Sequence, residues 1–278
     1  MKIIYLATVG VAALISSFAA QASVISTGTT SSSFVVYQAP GGDNAIGGVS
    51  PFAQSNDAGG GGNLIIIDQT GSANRFGSGS DASFQSGTGN QAAVTQSGTG
   101  SSVVLQQTGR FNGVSGGLIS SIIQSADDST LTILQSGNGN SFQVSQAGAN
   151  NAATLKQTGT GNAARVGQSG TELLAMLTQK GNNNTLQAQQ TGVNNAMVAT
   201  QAGSDNMMLV NQSGNANQMT ASQTGNNQVA SLTQSGSHNV MNASQAGSYN
   251  QVSVSQTSSN NIASVSQSGR GNVANIRQ

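Results

Sequence analysis

Polar and apolar positions recur along this chain with a step of eleven residues. Counting from Gln124, glutamine stands at Gln135, Gln146, Gln157, Gln168, Gln179, Gln190, Gln201, Gln212, Gln223, Gln234, Gln245, Gln256, Gln267 and Gln278, fourteen steps without a slip. Seven residues after each glutamine come Leu131, Phe142, Ala153, Ala164, Ala175, Leu186, Met197, Met208, Met219, Ala230, Met241, Val252, Ala263 and Ala274. Nine after come Ile133, Val144, Leu155, Val166, Leu177, Ala188, Ala199, Val210, Ala221, Leu232, Ala243, Val254, Val265 and Ile276. All twenty-eight are apolar in a chain that is 36% apolar, so the pattern is not chance.

Two further positions punctuate the unit. Glycine stands two residues after the glutamine at Gly137, Gly148, Gly159, Gly170, Gly181, Gly192, Gly203, Gly214, Gly225, Gly236, Gly247 and Gly269; only Ala126 and Ser258 break the series. Asparagine stands five residues after it at Asn140, Asn151, Asn162, Asn184, Asn195, Asn206, Asn217, Asn239, Asn250, Asn261 and Asn272, with Ser129, Leu173 and Gln228 as exceptions. From Asn to the next Gln the period is two, which places Asn, both apolar residues and Gln on one face of a strand. The Gly-containing segment between strands reads as a turn, because Gly tolerates positive φ and Asn tolerates it better than most residues. An eleven-residue repeat also describes a right-handed helical supercoil. Recurrent Gly, many amide and β-branched residues and few Glu, Lys or Leu argue against that.

The expected fold is therefore all-β: a β-solenoid of stacked strand-turn-strand repeats with a cross-β, amyloid-like spacing. Strands of about six residues joined by five-residue links would give two eleven-residue units per 22-residue rung, with rungs about 4.8 Å apart. The interior would hold apolar ladders flanked by polar ladders of Gln and Asn, whose amides bond from rung to rung and so avoid the cost of unpaired burial. Whether a rung holds two units or three stays open. Thr158, Thr191, Thr224 and Thr257 follow every third Gln and hint at a 33-residue period.

Four segments follow. Residues 1–22 read as a signal peptide, with Lys2 as the positive region, a mostly apolar stretch from Ile3 to Phe18, and Ala20-Gln21-Ala22 as a cleavage site. Residues 23–62 are a Gly-rich flexible N-terminal segment, since Ala39 to Gly62 holds both prolines and the run Gly59 to Gly62. Residues 63–123 are degenerate repeats: Gln85, Gln96 and Gln107 keep the step, but Gln69 to Gln85 and Gln107 to Gln124 are longer and imply bulged turns or insertions. Residues 124–278 are the regular array, expected to end on an uncapped, near-perfect unit.

Composition narrows the function. Net charge is zero and only 6% of residues are charged, so no electrostatic field favours nucleic acid. The absence of Cys excludes a disulfide framework and a thiolate metal site. His238 is the sole histidine, in the turn Gly236-Ser237-His238-Asn239, and without partners it reads as a solvated turn residue. Asp127 and Asp128 are adjacent and would point to opposite faces of a strand. The Gly-rich turns open no helix and so lack a phosphate cradle. No enzyme, metal site or cofactor is expected. An ice-binding face would need a regular outward Thr ladder, whereas the outward positions Thr154, Arg165, Gln187, Val198 and Leu209 are mixed. A monomeric solenoid adhesin would need capped ends.

At these residues the chain resembles the curlin family, subunits of curli amyloid fibres on Gram-negative bacteria. The stretch Gln157-Thr158-Gly159-Thr160-Gly161-Asn162-Ala163-Ala164-Arg165-Val166-Gly167-Gln168 is similar to the family repeat. The likeness spans Asn63 to Gln278. It implies export through an outer-membrane secretion pore with accessory proteins, then assembly with other curlin subunits into cell-surface fibres for adhesion and biofilm. Gln168-Ser169-Gly170-Thr171-Glu172-Leu173-Leu174-Ala175-Met176-Leu177-Thr178-Gln179 is similar to a unit of the minor, nucleating subunit, in which Leu-Leu-Ala replaces the usual Asn turn. That places the chain closer to the minor subunit than to the major one. It departs from both in its length, and from the nucleator in a less basic last unit.

Overall fold

The computed structural model describes residues 62–77, 83–114 and 119–278, together with the backbone of five short strands upstream and of the residues flanking positions 116 and 117. The chain forms two compact units, Met1–Ala147 and Gly148–Gln278, and the strand Ser141–Ala149 runs across their boundary. Each unit is a parallel β-solenoid. Among the described residues no helix is long and apolar enough to cross a membrane.

In the C-terminal unit, one sheet stacks Ala152–Thr160, Leu174–Asn182, Ala196–Ser204, Gln218–Asn226, Val240–Ser248 and Ile262–Arg270. The other stacks Ala163–Thr171, Thr185–Val193, Met207–Asn215, Val229–Gln234, Gln251–Gln256 and Val273–Arg277. Partners are 22 residues apart throughout, as in Gln157↔Gln179 and Gln168↔Gln190, so a rung holds two eleven-residue units. The threonine period of 33 has no structural counterpart: Thr158 and Thr224 lie on one sheet, Thr191 on the other.

The strands are longer than the sequence suggests. The typical strand has nine residues, such as Ala152–Thr160, because the ladder continues past Gln and Gly into the bend. At a typical corner only two residues fall outside it, and even there bonding persists: the Asn183 N–H donates to Thr160 O at 2.9 Å and the Ala163 N–H to Asn184 O at 2.8 Å.

Burial follows the alternation. Leu155, Leu177, Met197, Val210 and Leu232 are inside, as are their apolar neighbours two residues away. Bulk is shared within a strand, as in Ala175 with Leu177 and Met197 with Ala199, which keeps the thickness between the sheets even.

In the N-terminal unit, Leu64–Ser72, Gln91–Thr99 and Leu118–Asp127 stack in one sheet. Ser102–Arg110 pairs with Thr130–Asn138 on one side and with the split strand Arg75–Phe76 and Phe84–Thr88 on the other. Partner spacing is uneven, with Gln69↔Gln96 and Gln107↔Gln135 beside Gln85↔Gln107, yet these inward glutamines meet one another. The ladder is interrupted at two places. One insertion splits a strand between Phe76 and Ser83; the other is an antiparallel turn pairing Val114–Ser115 with Leu118–Ile119. Of the bulged turns or insertions expected here, the first is an insertion inside a strand.

Of the Gly-rich segment 23–62, the backbone of Ser33–Gln38 pairs in register with Leu64–Gln69, and Ala53–Ser55 with Phe84–Ser86. The rest of Ala39 to Gly62 lies outside the described residues apart from Ala45–Ile46, Phe52–Ser55 and position 62. The expected signal peptide at 1–22 also lies outside them, apart from the backbone of Leu14–Ile15 and Ala22.

Candidate assembly site: amide ladders and stacked corners

The thirteen glutamines of the eleven-residue step from Gln135 to Gln267 are all buried, at most 8% exposed. In the C-terminal unit each from Gln157 to Gln256 donates from Nε2 to Oε1 of the glutamine one rung on: Gln157 to Gln179 at 2.8 Å, Gln179 to Gln201 at 2.9 Å, Gln190 to Gln212 at 2.9 Å. The second Nε2 hydrogen goes to backbone oxygens, as from Gln179 to Asn184 O at 2.9 Å and Ala163 O at 3.1 Å. Two donors and one acceptor are thereby met without water. The N-terminal unit does the same through Gln85, Gln107 and Gln135, and through Gln69, Gln96, Gln124 and Gln146.

A typical corner asparagine ties three pieces of chain. Asn184 donates to Lys180 O in its own turn and, at 2.9 Å, to Gly203 O one rung on. Its Oδ1 accepts the N–H of Asn206. Asn140, Asn151, Asn162, Asn195, Asn206, Asn217, Asn239 and Asn250 are buried at equivalent corners, Asn261 is half-buried and Asn272 exposed. Leu173 and Gln228 interrupt this relay. The Leu173 N–H still donates to Asn151 Oδ1, but its side chain passes no acceptor on. Gln228 donates from Nε2 to Thr224 O and Gly247 O, and its buried Oε1 has no partner.

All twelve expected turn glycines have positive φ. Their strictness has a second cause that sequence does not show. A Cβ on Gly181 would lie 2.0 Å from Gly203 O, and one on Gly192 would lie 2.0 Å from Gly214 O. No side chain fits where the next rung passes so close.

Sequence reasoning missed the second left-handed position of each corner, four residues after the glutamine. There stand Asn150, Gly161, Asn183, Asn194, Asp205, Asn227 and Asn260, all with positive φ, but also Glu172, Ala216, His238 and Tyr249. Enrichment in Gly, Asn and Asp was the available signal. His238 is thus an exposed corner residue, and Tyr249 is stacked by Arg270 with its guanidinium 5.1 Å from the ring centroid. Also missed were two serines at the insertions, which occupy interior positions that are apolar elsewhere. Ser83 Oγ accepts the Leu105 N–H at 3.1 Å and Ser120 Oγ accepts the Phe142 N–H at 2.8 Å. Each hydroxyl serves a backbone donor beside a break in the ladder.

Among the described residues no cluster of three His, Cys, Asp or Glu side chains is placed to hold a metal ion. What the arrangement offers instead is a template: every rung presents the same groups at the same places as the one before. No curated protein matches the chain. The curlin associated repeat profile matches residues 148–181 and 181–214, so the chain carries curlin repeats within its all-β solenoid.

Proposed function

We propose that this chain is a structural subunit of extracellular curli-type amyloid fibres on a Gram-negative cell surface, acting there as the nucleating minor curlin. The observation that carries the fibre reading is that residues pair with their own equivalents one rung away, Gln with Gln and Gly with Gly. A rung from a second molecule satisfies the same donors and acceptors as a rung from the first, which is the physical basis of templated cross-β growth. In both ladders of the C-terminal unit the glutamines donate in one direction along the stack, which favours head-to-tail addition. The nucleating role is supported by the Leu173 corner, similar to the minor subunit's unit. By the same resemblance, export runs through an outer-membrane pore after removal of residues 1–22.

Purified chain lacking residues 1–22 should form thioflavin-positive fibres with reflections near 4.8 Å and near 10 Å. Substoichiometric amounts should abolish the lag of a matching major subunit. Fibres that form without shortening that lag would assign the chain to the major-subunit role, and no fibres would reject the fibre reading.

A further inference from the structure

All six methionines after Met1 fall between Met176 and Met241. Four are inside: Met197, Met208, Met219 and Met241 are at most 2% exposed. Three of these stack on successive rungs of one column, as Met197↔Met219 and Met219↔Met241, with Ala175 one rung before and Ala263 one rung after. Met208 holds the same position in the other sheet, between Leu186 and Ala230. The remaining two, Met176 and Met207, lie on outer faces and are 50% and 53% exposed. Met207 and Met208 are neighbours in sequence, and the alternation puts one in water and the other in the core. The chain has no Cys and no Trp, so thioether sulfur is its most readily oxidised group.

We propose that the four interior methionines are an oxidative modification site open only before the chain folds. Sulfoxide formed on the unfolded chain bars it from assembly, whereas the finished stack is shielded. The effect on assembly rests on the fibre reading above; the shielding concerns the folded chain alone. The oxidant is a peroxide. With hydrogen peroxide, a sulfur lone pair attacks one oxygen and the O–O bond breaks. The proton of the transferred oxygen passes to the leaving hydroxide, which departs as water; sulfur loses two electrons and the peroxide gains them. A sulfoxide oxygen is a strong acceptor, and burying it without a donor is unfavourable. The amide donors on the same strands are already engaged. Gln201 Nε2 donates to Thr185 O and Gln223 Oε1, and Gln223 Nε2 to Met207 O and Gln245 Oε1. Sulfoxides on successive rungs would also set acceptor beside acceptor about 4.8 Å apart. At Met176 and Met207 water solvates the sulfoxide, so the folded chain takes up oxidant there without loss to the stack.

The test treats the chain with hydrogen peroxide either in denaturant, before folding, or after assembly, and removes the peroxide with catalase. Oxidised before folding, the parent should show a thioflavin half-time at least about fivefold longer, or no fibres. Methionine sulfoxide reductases of both epimer specificities should restore its growth. Oxidised after assembly, fibres should persist, and peptide mass spectrometry should find Met208 at least about tenfold less oxidised than Met207. Met197→Leu/Met208→Leu/Met219→Leu/Met241→Leu should assemble equally well with and without peroxide, since Leu131 and Leu186 already occupy the same position buried. Met176→Leu/Met207→Leu should stay as sensitive as the parent. If the fourfold variant does not assemble, the reductase rescue decides alone. Unchanged growth of the oxidised parent, no rescue once the reductases have regenerated methionine, sensitivity lost in the outer-face variant, or Met208 oxidised in fibres as fast as Met207 overturns the inference. Absence of fibres from the unoxidised parent overturns the fibre reading instead. The inference is then read from thermal unfolding of the soluble chain by circular dichroism, where prior oxidation should lower Tm in the parent and a Tm equal to the unoxidised chain's overturns it.

Discussion

Gln228→Asn should stabilise the fold, although it removes buried apolar volume. At the other corners of the same column the asparagine Oδ1 receives the N–H of the residue 22 positions on, as Asn184 Oδ1 does from Asn206. The Gln228 side chain keeps both donor bonds, to Thr224 O at 2.7 Å and Gly247 O at 2.9 Å, but leaves Oε1 buried without a partner. An unpaired buried acceptor costs about 1–3 kcal/mol. Shortening the side chain gives up one buried methylene, about 0.8 kcal/mol. The acceptor outweighs the methylene, and the net gain is about 1 kcal/mol, equivalent to roughly 2–4 °C in Tm for a chain of this size. The reverse change, Asn206→Gln, should lower Tm by a similar amount. Thermal unfolding of the soluble full chain, followed by circular dichroism before any fibre forms, measures both. A Gln228→Asn variant that melts at or below the parent, or a neutral Asn206→Gln, would show that Oε1 has a partner after all and refute the relay.

Two other substitution pairs test the inside-outside frame and the corner. Val210 is fully buried between Ala188 and Leu232, while its neighbour Leu209 faces outward between Gln187 and Ser231. Val210→Lys should cost several kcal/mol by burying an unpaired ammonium and should block or delay fibre growth. Leu209→Lys should change stability by less than about 0.5 kcal/mol and elongate as the parent does; equal growth curves for the two would refute the frame. Gly181→Ala should be severely destabilising in a melting experiment, because its Cβ would sit 2.0 Å from Gly203 O. Gly139→Ala meets nothing within 4 Å and should cost only the left-handed backbone penalty of about 1–2 kcal/mol. Similar losses from both would show that φ, not rung contact, explains the glycines.

Much of the architecture was legible because a stacked fold repeats its local environment, so each structural demand is written many times. The period of two placed Val210 inside and Leu209 outside before any coordinates, and the recurrence of Gln at every eleventh residue implied ladders that Gln157, Gln179 and Gln201 form. The degenerate units kept the same phase: Gln85 meets Gln107, and Gln107 meets Gln135, despite the uneven spacing between them. Three things depended on the stack itself. Two units per rung rather than three follows from which strand lies above which, and a period of eleven is compatible with either. That Arg75–Phe76 and Phe84–Thr88 form two halves of one strand depends on Ser102–Arg110 pairing with both, a contact between segments far apart in sequence. The ban on a Cβ at Gly181 comes from a carbonyl 22 residues away. Sequence records a repeated local preference well, because propensity and alternation act within a few residues. It does not record how near the next rung passes, because that distance is set only when hydrogen bonds close the stack.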